Sequence, residues 1–174
     1  MFEVVVRVEE LCSPAYMHRA MRRCGATRDE ALEVLYRRRH SVLYARLFWI
    51  DLEGVTDRVH THLVRSRVGV DWWVETQRPD RGGVPGLRNM SAVINASALI
   101  TLAQKRLCAR DAWGDTRLTV LALREAVRQV DPALAQAMQP LCVWERGCVV
   151  GGCGWYERQI LDDRDWPVEV ADAL

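Results

Sequence analysis

Between Asp57 and Arg81 the sequence, DRVHTHLVRSRVGVDWWVETQRPDR, changes its period. A helix-like run ends at Arg65-Ser66-Arg67, an alternating segment follows, and that segment closes on Thr76-Gln77-Arg78 ahead of a loop rich in proline and glycine. Helix-like, extended and turn-like segments thus lie side by side in one short stretch. Five of these 25 residues are arginine, interleaved with Trp72 and Trp73. Guanidinium groups bind phosphate bidentately and stack on flat rings. Arg65, Arg67, Arg78 and Arg81 are therefore a candidate cradle for a planar, anionic ligand, and equally a solvated basic face.

The flanking sequence supplies the other elements. Residues 2–8 alternate and are rich in valine, as a strand would be. Ser13-Pro14 reads as a helix start, with the helix stopping near Gly25. Thr27-Arg28-Asp29-Glu30 has the form of a capping box for a helix through Leu32, Leu35 and Tyr36. Residues 43–52 fit a strand or a helix. Thr56 or Asp57 can cap a helix ending near Arg65, and Val68 to Gln77 reads as extended. Residues 79–91 read as a loop bordering a site. Residues 92–110 have helical spacing, which would put Asn95 and Arg106, eleven residues apart, on one face. Thr116–Val130 is amphipathic and is stopped by Asp131-Pro132, where Pro132 can open a short helix to Met138.

Composition limits the partners. A chain of 174 residues can bury a real core, and one domain is expected over 1–174, with a Cys/Gly-rich tail over 141–174. The net charge of +1 favours neither nucleic acid nor a membrane surface, although 23 of the 24 basic residues are arginine. FEVVVRV is short and is followed by Glu9-Glu10, unlike a signal peptide, so a cytoplasmic location with mostly reduced cysteines is expected. Cys142, Cys148 and Cys153 are spaced C-x5-C-x4-C, which only borders on a zinc pattern, and no metal is expected. His60 and His62, two residues apart on a helix, do not share a face for a metal. Trp72 and Trp73 point to opposite faces of a strand, one toward the core and one free to wall a ring pocket.

Taken in order, four pieces of sequence resemble the flavin-dependent thymidylate synthases, particularly their short, phage-like members. Arg65-Ser66-Arg67 followed by Thr76-Gln77-Arg78 resembles the family's Arg-His-Arg signature and its downstream Ser/Thr-x-Arg. Arg39-His40-Ser41 resembles an upstream Glu-His-Ser or His-Glu-Thr segment. Asn95 with Arg106, in NASALITLAQKRLC, resembles the helix that ends in the catalytic arginine, and CVWERGCVVGGCGW resembles a cysteine-rich tail.

The resemblance implies an α+β, thymidylate synthase-complementing-protein-like fold, with a small mixed or antiparallel sheet flanked by helices, and an enzyme that uses FAD, reduced by NADPH, to move a one-carbon unit from methylenetetrahydrofolate to carbon 5 of dUMP. Arg106 would stabilise negative charge on the pyrimidine. Ser41, Arg65, Ser66, Arg67 and Asn95 would lie at the flavin, and His62, Thr76, Gln77, Arg78 and Arg81 at the nucleotide. A homotetramer with sites between subunits is implied as well. The sequence departs from the family pattern where Ser66 replaces the signature histidine, where Ser97 replaces an arginine, and by one inserted residue between Arg67 and Arg78. Two other readings stay open: a repurposed or inactive homologue that binds nucleotide or flavin, and an Arg/Trp-rich protein for single-stranded nucleic acid.

Overall fold

The computed structural model describes residues 4–76, 78, 80, 86–108 and 114–151. Four strands form one antiparallel sheet: β1 (Val5–Glu10), β2 (Leu47–Val55), β3 (Val70–Val74) and β4 (Arg88–Asn95), in the order β1-β2-β4-β3. Seven α-helices are described: α1 (Ala15–Arg23), α2 (Leu32–Arg38), α3 (Asp57–Leu63), α4 (Ala96–Arg106), α5 (Gly114–Val130), α6 (Pro132–Ala137) and α7 (Leu141–Trp144). A short 3-10 helix spans Ser41–Ala45. None of the described helices is long and apolar enough to cross a membrane.

Alternation along β2 gives the sheet two unlike faces. Phe48, Ile50 and Leu52 point inward with Ala92 and Ile94 of β4, all essentially inaccessible. Burying each of the larger ones, Phe48, Ile50, Leu52 and Ile94, contributes about 1.5–3 kcal/mol. They join Val59 and Leu63 of α3, Leu99 and Ile100 of α4, and Val120, Leu123 and Val127 of α5 in one hydrophobic cluster. Trp49, Asp51, Ser91 and Trp73 line the other face.

Local chemistry sets most boundaries. Thr56 caps α3, its hydroxyl accepting from the Val59 amide at 3.3 Å. Asp131 caps α6 by accepting from Leu134 at 3.0 Å, with Pro132 in the first turn. Gly25, at φ +94°, follows the end of α1.

Three expectations are corrected. Thr27 and Glu30 form no capping box: α2 begins at Leu32 after Ala31 with no side-chain cap, and the Glu30 carboxylate pairs with Arg38 at 2.6 Å. Residues 88–91 lie in β4, inside the expected loop. Residues 92–95 are also strand, so the helix starts at Ala96. Val93 fits the helical spacing with Ala96 and Ile100, but in the strand it is Ala92 and Ile94 that face inward. The ambiguous 43–52 segment divides into the end of the 3-10 helix and the start of β2.

Candidate functional site

The Arg65–Arg67 loop joins α3 to β3 on the helical side of the sheet and is fastened at three points. The Ser66 amide donates to the Leu63 carbonyl at 2.9 Å, and the Trp72 indole donates to the Ser66 carbonyl at 3.0 Å. Two residues on, the Gly69 carbonyl accepts from the Asn95 amide at 2.9 Å. Gly69 is at φ +75°, and a Cβ there would stand 2.2 Å from the Asn95 side-chain nitrogen. Only glycine meets both demands. Arg65 and Arg67 are thus exposed on a backbone held from both ends.

Arg106, the last residue of α4, reaches the same region. Its Nη2 donates to the His62 carbonyl at 2.9 Å, at the end of α3. The His62 ring shares a 2.9 Å hydrogen bond between Nδ1 and Oγ1 of Thr116, buried in the first turn of α5. Partial burial lowers the His62 pKa, and the guanidiniums of Arg106, Arg65 and Arg58 push it the same way. Three positive charges around a neutral imidazole form a local field suited to an anion. His60 is lowered too, by burial and then by Arg88, with Asp57 opposing.

Asn95 does not share a helix face with Arg106. It adopts extended backbone at the cap of α4, where its Oδ1 accepts from Ala98 at 2.9 Å. With Arg106 eleven residues on, at the far end of α4, the two Cα atoms are separated by about 16 Å, at the usual helical rise of about 1.5 Å per residue. Asn95 is 6% exposed, so its visible work is to cap α4 and pack on Gly69.

No family model matches this chain, and no curated protein matches it. Solved structures do. Flavin-dependent thymidylate synthase ThyX from Helicobacter pylori, complexed with FAD and dUMP, superposes with a TM-score of 0.61 at 14% identity, covering 79% of this chain and 99% of that one. A second structure of the H. pylori enzyme with FAD and dUMP gives 0.56 at 15% identity over 75% and 99%. The UMP/dUMP methylase PolB from Streptomyces cacaoi, bound with 5-Br dUMP, gives 0.59 at 14% identity over 78% and 94%. The fold is that of ThyX.

Within this ThyX fold the remaining sequence candidates are placed as follows. Ser41 is exposed at the start of the 3-10 helix, which packs on α4; nearby, Arg39, in the left-handed region at φ 51°, donates to Thr101 of α4 at 3.0 Å. Thr76 follows β3, and its hydroxyl accepts from the Arg78 amide at 3.2 Å. The Arg78 guanidinium makes two 3.3 Å contacts with Asp80. Gln77 and Arg81 lie outside the described residues, as does Cys153. Among the described residues no group of three or more metal-ligating side chains forms. Trp72 packs toward the core beside the signature loop, whereas Trp73 stands on the opposite face of the sheet, so only Trp72 is beside the candidate site.

Sequence reasoning missed three contributors. Gly69 had a signal, a lone glycine at the start of an alternating run. Thr116 and Asp80 had none, because their roles come from contacts 54 residues away and from one short turn.

Proposed function

We propose that the chain is a methyltransferase of the flavin-dependent thymidylate synthase kind, acting on dUMP with methylenetetrahydrofolate, FAD and NADPH. The observation that carries this reading is the fastened loop, which presents Arg65 and Arg67 beside an Arg106 already oriented by the His62 carbonyl. The donor set fits the group: two exposed guanidiniums on a rigid backbone match a diphosphate. Arg65 and Arg67, with Ser66, Ser41 and Asn95 in supporting positions, would hold FAD. Bound FAD, once reduced, supplies the reducing equivalents that turn the transferred carbon into a methyl group. Arg106 would place a fixed cation at the pyrimidine as carbon 5 becomes nucleophilic. His62, Thr76, Gln77, Arg78 and Arg81 would hold the nucleotide, with Arg78 exchanging Asp80 for phosphate. Assembly into a homotetramer and a single folded unit over 1–174 belong to the same proposal.

A repurposed homologue is the second reading, favoured by one observation: Ser66 offers a hydroxyl where the resemblance calls for an imidazole, and the Trp72 indole already occupies its carbonyl. The single-stranded nucleic-acid reading loses support because Trp73 stacks on Trp49 amid carboxylates. The purified protein should show flavin absorbance, or acquire it on titration with FAD, and should form dTMP from dUMP when both co-substrates are supplied. Flavin binding without turnover would select the second reading; no binding at tens of micromolar FAD would reject the synthase reading and leave, of the second, only a homologue that binds nucleotide.

A further inference from the structure

The solvent face of the sheet carries a feature unrelated to the loop on the helical side. Trp49 of β2 and Trp73 of β3 stack with ring centroids 5.5 Å apart and planes 19° from parallel. Trp73 is 52% exposed, so the side of its ring away from Trp49 meets water. Next to it runs a groove of about 470 Å³, lined by Asp51, Glu53, Trp73, Glu75, Asn89 and Ser91 among others.

The carboxylates are partly arranged in advance. Asp51 accepts from the Trp49 indole at 3.0 Å and from the Ser91 hydroxyl. Glu75 accepts from the Asn89 amide at 3.2 Å, and among the described residues it has no ion-pair partner. Glu53 is paired with Arg7. Among the described residues, the strand registers place Glu9, Asp51, Glu53 and Asp71 on this face, with Glu75 continuing β3 opposite Asn89, against one cation, Arg7. The described residues of this face therefore sum to a formal charge of −4, while the whole chain is +1. So strong a local excess, in an arginine-rich chain, is complementary to a cationic partner.

We propose that this groove docks a basic polypeptide segment through an arginine side chain. The guanidinium would lie flat on the open face of Trp73 and donate to Glu75 and Asp51. A planar cation satisfies ring and carboxylates together, which a compact ammonium does so less well. The groove is open, with Glu75 and Asn89 exposed at its rim, so it suits a side chain delivered by a backbone passing over the sheet better than a free small molecule needing enclosure.

The test uses the full chain and a fluorescein-labelled glycine pentapeptide with one central arginine, compared with its citrulline counterpart and with free arginine amide, followed by anisotropy or competition at low salt. The arginine peptide should bind, and citrulline should bind at least about tenfold more weakly because the charge is gone. Trp73→Ala and Glu75→Gln should each weaken binding about three- to tenfold, whereas Trp73→Phe should keep most of it. Glu75 is exposed, so its variant remains informative should Trp73→Ala fail to fold. Four results would overturn the proposal: no binding near 1 mM chain (about the weakest specific range), equal binding of arginine and citrulline peptides, competition by arginine amide as strong as by the peptide, or unchanged affinity in both variants. Sedimentation of the chain alone provides a further check, because self-association abolished by Trp73→Ala would assign the face to a second copy instead.

Discussion

Arg106 illustrates how a single side chain can be prepared for chemistry. Its Nη2 is anchored on the His62 carbonyl, so the guanidinium plane is set before any ligand arrives. A guanidinium carries its five N–H donors in one rigid plane, so fixing one of them fixes the direction of the rest. If this cation stabilises charge on the pyrimidine, Arg106→Ala should lower dUMP turnover by about two to three orders of magnitude, the usual scale for one such donor. FAD content, read from absorbance, should change little. A near-wild-type rate would remove Arg106 from the mechanism. Ser66 is tested in the opposite direction, by adding chemistry. Its carbonyl serves Trp72, a backbone contact that a changed side chain leaves intact. Ser66→His should therefore tighten FAD binding about ten- to a hundredfold, equivalent to one charge-assisted hydrogen bond of about 1.5–3 kcal/mol. Weaker binding would mean that Trp72 has closed the space, since overpacking costs about 1–3 kcal/mol, and would favour the repurposed homologue.

At the scale of elements, the site depends on the meeting of the Arg65–Arg67 loop with the start of α4. Gly69→Ala should disrupt that meeting twice, through its left-handed φ and through the clash with Asn95. Such backbone strain costs about 1–3 kcal/mol, and FAD affinity should fall with it if the loop holds the cofactor. Asn95→Ala is the control: it removes the cap, worth about 1 kcal/mol, but keeps the backbone bond from the Asn95 amide to Gly69. Calorimetric unfolding and FAD titration of the two variants should separate loop position from helix stability; equal FAD affinity in Gly69→Ala and wild type would show that the loop does not need this fixed backbone. The same region shows what the sequence could and could not disclose. The helix start at Thr56 or Asp57 and the break at Asp131-Pro132 were legible because they are local rules written in adjacent residues. An α+β fold with a small mixed or antiparallel sheet was expected from the motif resemblance, and strand pairing makes the sheet antiparallel. The boundary at Asn95 was not, since Ala92, Val93 and Ile94 are all apolar and Val93 stands at helical spacing from Ala96 and Ile100, and only pairing with β2 and β3 decides it. The anchoring of Arg106 on His62 spans 44 residues and is a product of the fold.

Across the whole molecule, one buried polar network joins elements distant in sequence. Arg46, 1% exposed, donates to Asp131 at 2.9 Å and to Glu10 at 2.9 Å, and also to the Cys12 carbonyl. Tyr36 donates to the same Asp131 oxygen at 2.6 Å. Burial raises the Tyr36 pKa, and the neighbouring Asp131 charge raises it further, so the phenol stays protonated and donates. Arg46 is desolvated, yet Glu10, Tyr36 and Asp131 more than offset this and hold it charged, with the Phe48 ring 4.6 Å beneath it. The network thus ties β1, α2, the entry to β2 and the start of α6. Asp131→Asn isolates its electrostatic part, because asparagine can still cap α6 but no longer balances Arg46. Removing one partner of a buried pair costs about 3–5 kcal/mol, because the other charge is left without compensation. For a chain of this size each kcal/mol moves Tm by about 2–4 °C, so a fall on the order of 10 °C is expected in thermal unfolding followed by circular dichroism. Asp131→Ala should fall further by the lost cap, about 1 kcal/mol. If Asp131→Asn unfolds within a degree or two of wild type, Glu10 and Cys12 alone satisfy Arg46, and the four elements are held together by the apolar cluster rather than by this network.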